Sequence, residues 1–381
     1  MNPRSGARVL SILAASLALA VPTIAFPALS PSAHAKPAAP GTLLESSPLP
    51  AGLSLPSAAS AQKMTYQTKG PHGLTPSTGV LYQPAGTPPT GGWPVVVWAH
   101  GTVGDSDFDA PSRTGEHPAT SAYVDGWLKR GYAVAAPDYI GMGSPGIAPY
   151  LNCRVVARTV IDSVRAAHKL SNALADRWVV VGLSQGGQAA MCTANLVDNY
   201  APELDYRGAV AQGVPSNIET LAPLGGPWFP PAGIFAGLTN FMTFAIAGLR
   251  DSRRDLDVNA YLTPLGRRLV DAAPRMSYAE FAKLSAGHSV AEMLSRSLAD
   301  PVVINALRDY LGIPTTGYTK PIMLVQGAKD LVVPIPLTLK LVADLNLAGT
   351  HPDFRVVDAD HIGSVYAAEA AAATFVKRAL K

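Results

Sequence analysis

The sequence predicts an α/β domain: a mostly parallel sheet flanked by helices, interrupted by a helical cap or lid insertion. Three observations predict it. First, short apolar runs at 94–99, 132–137, 178–183, 208–213 and 321–326 are bounded by turn residues, as strands buried on both faces are. Second, amphipathic helical patterns lie between these runs, which implies parallel strands joined by right-handed crossovers. Third, the alternation stops after Gly213 and resumes at Pro321, as it does when a separate piece is inserted into a sheet.

At the N-terminus, Arg4 and Arg8 precede an apolar run from Val9 to Ala20, extending loosely to Phe26, and then Ala33-His34-Ala35. That order reads as a secretory signal peptide over 1–35. A transmembrane anchor is disfavoured because the run is short and broken by Pro22 and Pro27. Residues 1–35 contain no Arg-Arg pair, which favours the general secretory route over the twin-arginine one. Residues 36–63 are rich in Pro, Ala, Ser and Gly, have little charge and no apolar period, and read as a linker. Removing the signal leaves about 345 residues, enough for one large domain with an insertion. A net charge of +3 with no basic block implies no nucleic-acid partner. A composition of 48% apolar residues excludes disorder.

Met64 to Lys69 and Gly79 to Gln83 form an opening antiparallel hairpin. The strand Pro94 to Ala99 runs into His100-Gly101-Thr102-Val103-Gly104. A helix over Ser121 to Arg130 leads to the strand Tyr132 to Pro137. Arg154 to Leu170 is helical, with Val156, Val160, Val164, Ala167 and Leu170 on one face. The strand Trp178 to Leu183 feeds a further helix, and Gly208 to Gly213 follows. The glycines of Gly141-Met142-Gly143-Ser144-Pro145-Gly146 match a dinucleotide fingerprint, but Pro145 removes a phosphate-binding donor. The acid about twenty residues on, Asp162, lies within a helix rather than ending a strand, so this is a tight glycine loop. Cys153 and Cys192 fall on consecutive crossover helices, which run side by side, so in an exported chain a disulfide between them is expected. Two buried free thiols are the alternative.

Over 216–320 the segment Pro227 to Leu249 is apolar and uncharged, with Trp228, Phe229, Phe235, Phe241 and Phe244 among its residues. Two interior prolines and three interior glycines argue against a membrane span. Helices follow at about 257–273, 277–284 and 300–311. Most of the apolar residues are assigned to a small core of the cap, and a minority to the wall of a cleft. The domain then resumes over 321–381, completing the core of 64–215, with a strand at Phe354 to Val357 and a C-terminal helix from Ser364 to Leu380.

The chemistry centres on Gly182-Leu183-Ser184-Gln185-Gly186. A serine at a sharp strand-to-helix corner needs glycines two residues before and after it, because there the two elements nearly touch. By itself the pattern is weak, arising by chance roughly one time in five in a chain of this length. Context strengthens it. In open sheets ligands gather at the carboxyl ends of strands, and Ser184 and the His100-Gly101-Thr102 turn both sit at such ends. Asp330 and His361 each follow a late strand at the same end. The order Ser, Asp, His is that of α/β-hydrolases. Asp358 and Asp360 are rival acids, but both share the loop of His361. The N–H groups of Gln185 and Thr102 are the candidate oxyanion donors, and His100 is expected to shape that turn.

Taken as a set, these stretches resemble the secretory lipase family of α/β-hydrolases. The resemblance rests on His100-Gly101-Thr102, Tyr150-Leu151, Asp162-Ser163-Val164-Arg165-Ala166-Ala167 and Gly182 to Gly187. In the cap it rests on Ala247-Gly248-Leu249, Tyr261-Leu262-Thr263 and Gly266, and beyond it on Gln326-Gly327, Asp330, Val333-Pro334 and His361. Asn259-Ala260-Tyr261 stands where a Tyr-Pro pair is expected. The resemblance implies a secreted lipase or carboxylesterase acting on ester or lipid substrates through Ser184, His361 and Asp330. It implies no cofactor or metal, and a cap that meets a lipid interface. A serine peptidase or an acyltransferase would use the same residues, and a catalytically silent surface-binding module is the alternative from another class.

Overall fold

A computed structural model describes residues 39–230 and 237–381; the signal-peptide reading of 1–35 lies outside the described residues. Among the described residues nine strands form one sheet: β1 (Leu43–Pro48), β2 (Ala58–Gly70), β3 (Gly73–Pro84), β4 (Trp93–Ala99), β5 (Ala133–Tyr139), β6 (Leu174–Leu183), β7 (Asp205–Gln212), β8 (Ile322–Gly327) and β9 (Asp353–Val357). Their spatial order is β1-β2-β3-β5-β4-β6-β7-β8-β9. The first three pair antiparallel, β3 meets β5 antiparallel, and all pairs from β5 to β9 are parallel.

The helices are α1 (Pro111–Thr114), α2 (Pro118–Lys129), α3 (Cys153–Leu170), α4 (Gln185–Tyr200), α5 (Leu238–Ser252), α6 (Pro264–Ala272), α7 (Tyr278–Ser285), α8 (Val290–Met293), α9 (Pro301–Leu311), α10 (Ile335–Leu347), α11 (Gly363–Ala367) and α12 (Glu369–Ala379). The apolar runs are explained by two cores, one on each face of the sheet. Side chains alternate across a strand, so Val95, Val97 and Ala99 meet α3 and α4 while Val96 and Trp98 meet α2. In β6 the same alternation sends Trp178 and Val180 one way and Val179, Val181 and Leu183 the other. A strand of this kind has no polar face to show.

The residues read as a linker, 36–63, contribute β1 and the first part of β2. The reason is edge position: among the described residues β1 pairs with β2 alone and leaves five of its six residues exposed in a row, so no apolar periodicity marks it. The segment after Asp330 holds α10, which sequence patterning did not mark. The C-terminal helix is two, separated at Ala368.

Between β7 and β8 the insertion folds around its own core, built on Phe244, Leu249, Leu269, Phe281, Met293 and Leu294. Of the apolar stretch 227–249, residues 238–249 lie in α5, and Phe244, Ile246, Ala247 and Leu249 are buried. Trp228 is 63% exposed, and Phe235 lies outside the described residues. Among the described residues no helix is long and apolar enough to cross a membrane. Tyr150 and Leu151, just before α3, pack into the core of the insertion and join it to the sheet domain.

Candidate active site

The corner between β6 and α4 is held by close backbone approaches. A Cβ at Gly182 would overlap the carbonyl of Gly186, and one at Gly186 would overlap the carbonyl of Ala99 in β4. Only glycine fits at either position, which accounts for the spacing around Ser184. Ser184 itself has φ 58° and ψ −121°, a strained region for a non-glycine residue that costs roughly 1–3 kcal/mol. Its N–H donates to the Gln212 carbonyl at the end of β7 (2.8 Å), and its carbonyl accepts from Gln188 (3.0 Å), starting α4. Gln185 is the first residue of α4, so its N–H has no intrahelical acceptor.

Asp330 and His361 are in contact: Nδ1 of His361 lies 2.6 Å from Asp330 Oδ2. The Asp330 side chain is fully buried and that of His361 is 12% exposed. The carboxylate is fixed from several sides. Its Oδ1 accepts from the N–H groups of Val332 (2.9 Å) and Val333 (2.8 Å). Its Oδ2 also accepts from Gln326 Nε2 at 3.2 Å. Gln326 is oriented in turn: its Nε2 donates to the Val333 carbonyl (3.0 Å), and its Oε1 accepts from Thr338 Oγ1 in α10 (2.6 Å). Sequence reasoning included Gln326 only as part of a resemblance and missed Thr338.

The imidazole lies against the end of β7. A Cβ at Gly213 would stand 2.9 Å from His361 Cε1 and 3.5 Å from Asp330 Oδ2. Gly213 follows the residue whose carbonyl holds the Ser184 amide, so the serine corner and the His–Asp pair flank the same two residues of β7's end. Among the described residues no hydrogen bond joins the Ser184 hydroxyl to a partner. Asp358 pairs with Lys329 and Asp360 caps Gly363, so both rival acids are engaged elsewhere.

The turn after β4 adjoins the corner. A Cβ at Gly101 would be 3.3 Å from the Leu183 carbonyl and 3.6 Å from Ser184 Cβ. His100 is buried, and burial holds its imidazole below the usual range and neutral. Its Nδ1 lies 2.6 Å from the Gly101 carbonyl; a carbonyl only accepts, so this nitrogen carries the proton. Tyr139 at the end of β5 donates to the His100 carbonyl at 3.0 Å. Thr102 Oγ1 and Tyr150 OH are 2.6 Å apart, and burial pushes the Tyr150 phenol up, so it stays protonated.

Sequence reasoning also missed three acids, because a carboxyl in a loop reads as solvated. Asp105 is 1% exposed and neither carboxyl oxygen has a hydrogen-bond partner among the described residues. Burial, and then the neighbouring Asp109, raise it well above the carboxylate range. Asp109, also raised by burial, accepts from the Tyr278 N–H at the start of α7 (2.8 Å), tying the insertion to the loop after β4. Glu116 is pushed up to about 8 by burial and then by Asp138.

Cys153 and Cys192 form a disulfide with Cα atoms 5.4 Å apart, joining the first turn of α3 to the middle of α4.

A family model for secretory lipases matches residues 107–379. The chain belongs to the secretory lipase family. Among curated secretory lipases and relatives, it is 31% identical to Lipase A of Moesziomyces aphidis over 150 residues, which is 38% of this chain and 30% of that protein. It is 26% identical to a probable inactive lipase of Mycobacterium tuberculosis over 231 residues, 58% of this chain and 49% of that one. The chain thus spans less than half the length of each of these curated relatives. The fold of Candida antarctica lipase A in its closed state superposes with a TM-score of 0.74 at 18% identity, over 90% of this chain and 83% of that chain. A rice cell wall degrading esterase, LipA of Xanthomonas oryzae, gives 0.69 at 20% identity over 89% and 97%. This member of the family therefore has the α/β-hydrolase fold.

Proposed function

We propose that this secretory lipase is an exported carboxylic ester hydrolase whose nucleophile is Ser184. The observation that carries the reading is the buried Asp330–His361 pair placed beside the strained Ser184 corner. His361 Nε2 takes the Ser184 proton as Oγ bonds to the ester carbonyl carbon, and Asp330 holds the imidazole and stabilises its charged form. The N–H groups of Gln185 and Thr102 receive the developing oxyanion, each such donor being worth roughly 3 kcal/mol. The C–O bond to the alcohol breaks as His361 returns the proton to it. Water, deprotonated by the same imidazole, then releases the acid from Ser184. In free enzymes the hydrogen bond between nucleophile and base is often long and tightens once substrate is bound.

The insertion acts as the cap over this site, and lipid or ester substrates follow from the names of the relatives. Export is supported by the N-terminal pattern together with a disulfide, which persists in oxidising compartments. A second reading, a silent binding module, is favoured by one relative being named a probable inactive lipase. A fluorophosphonate probe separates the two: the wild type is labelled and Ser184→Ala is not, with hydrolysis of p-nitrophenyl butyrate lost in parallel. A wild type that is folded, unlabelled and inert towards esters of every chain length would refute the hydrolase. Faster turnover of peptides or of alcohol acceptors would move the assignment to a peptidase or an acyltransferase.

A further inference from the structure

Away from Ser184, a cleft of about 260 Å³ opens between the end of β2, the first turns of α3 and the α5 and α9 helices of the insertion. A water's share of liquid is about 30 Å³, so the cleft suits a small hydrated group and not a macromolecular segment. Its walls are cationic. Lys69, Arg154 and Arg158 line it, and among the described residues none of the three makes an ion pair. Arg253 also lines it but is held by Asp255 through two bonds of 2.7 and 2.8 Å. One carboxylate, Asp309, borders the cleft.

Arg154 and Arg158 are one turn apart on α3, where like charges repel. Arg158 is half-buried, and its Nε is shut off from solvent with no hydrogen-bond partner among the described residues. Burial lowers its guanidinium below the usual range, and Arg154 adds to the shift, while its ring neighbour Tyr200 offers a cation–π contact at 5.8 Å. Ser252 and Tyr310 line the insertion side; their hydroxyls face each other, and that of Tyr310 abuts Gly248. The positive end of α3, an 18-residue helix, opens on the same space. Guanidinium groups without an ion pair and an ammonium, converging from different elements, are complementary to a tetrahedral oxyanion.

We infer that this cleft binds a phosphate group. Free phosphate or the headgroup of an anionic phospholipid carries the same chemistry, and the test separates them. The full chain is titrated calorimetrically with inorganic phosphate at constant ionic strength, chloride serving as control. In parallel, its binding to phosphatidylglycerol and phosphatidylcholine vesicles is measured by sedimentation. The expected result is saturable binding of phosphate below about 1 mM, or selective binding of phosphatidylglycerol vesicles, weakened about tenfold or more by Arg158→Gln. The first outcome identifies a soluble phosphate compound and the second a lipid headgroup. Lys69→Met, at an exposed position, provides a second variant that leaves folding intact and weakens binding severalfold. Hydrolysis of a soluble ester stays at wild-type level in both, since neither residue belongs to the proposed catalytic machinery. The binding readouts do not depend on hydrolysis, so they stand whether or not the hydrolase reading does. Absence of both phosphate and phosphatidylglycerol binding, or binding unchanged in both variants, would overturn the inference.

Discussion

Glu116 offers a quantitative test of the packing beside the turn that follows β4. Its carboxyl is 9% exposed, and burial followed by the charge of Asp138 moves it from 4.5 to about 8. A carboxyl whose folded value is raised binds its proton more tightly in the native state than in the unfolded one. Its stabilising contribution is therefore complete below the unfolded value near 4.5 and is lost as pH rises through about 8. At about 1.4 kcal/mol per unit, the whole interval corresponds to at most about 5 kcal/mol. Glu116→Gln keeps the shape but cannot titrate. Urea unfolding of both proteins at about pH 5, 6, 7 and 8 isolates the effect, because the other buried acids are common to both. The stability difference between wild type and variant should shift by several kcal/mol against the wild type from the lowest to the highest pH, at constant m value. A difference that stays flat across this range would show that Glu116 is solvated and that the burial argument is wrong.

Two further outcomes follow from contacts behind the site. Thr338→Val removes the hydroxyl that fixes the Gln326 carboxamide, 2.6 Å away; kcat for a soluble ester should fall about tenfold with KM nearly unchanged, as expected when only transition-state geometry is disturbed. Equal kcat values would mean that Asp330 needs no support from α10. Replacing both Cys153 and Cys192 by serine opens a loop with a sequence separation of 39, which chain-entropy arguments value at about 4 kcal/mol. Urea midpoints measured with and without reductant check this, and a loss under about 1 kcal/mol would place the stabilisation of α3 and α4 in their apolar contacts instead.

Legibility in the sequence followed burial. The strands from β4 to β8 announced themselves because both faces are covered, and the glycines around Ser184 announced a corner because nothing larger fits. Asp330 and His361 were legible through their position after late strands. By contrast, β1 is an edge strand with most of its side chains in water, so its pattern resembles a linker. In α10 the buried face is only Thr338, Leu341 and Leu345, one of them polar, and α5 lies in a stretch apolar on nearly every side. Asp105, Asp109 and Glu116 were hidden for a different reason. Nothing local distinguishes a carboxyl that will be enclosed from one that will be hydrated; that is decided by partners far away in the chain, such as Tyr278 for Asp109.

The position of the insertion between β7 and β8 limits how this protein can vary. Those strands are parallel neighbours, with Ala209 opposite Ile322, so the polypeptide leaving one must travel back the length of the sheet before entering the next. A return of this kind takes about a dozen residues or more. Natural variation or engineering can exchange, trim or enlarge the helices of this segment, but some bridge must always remain. Any redesign of this segment is therefore also a redesign of the crossover that keeps β8, and with it Asp330, in the sheet.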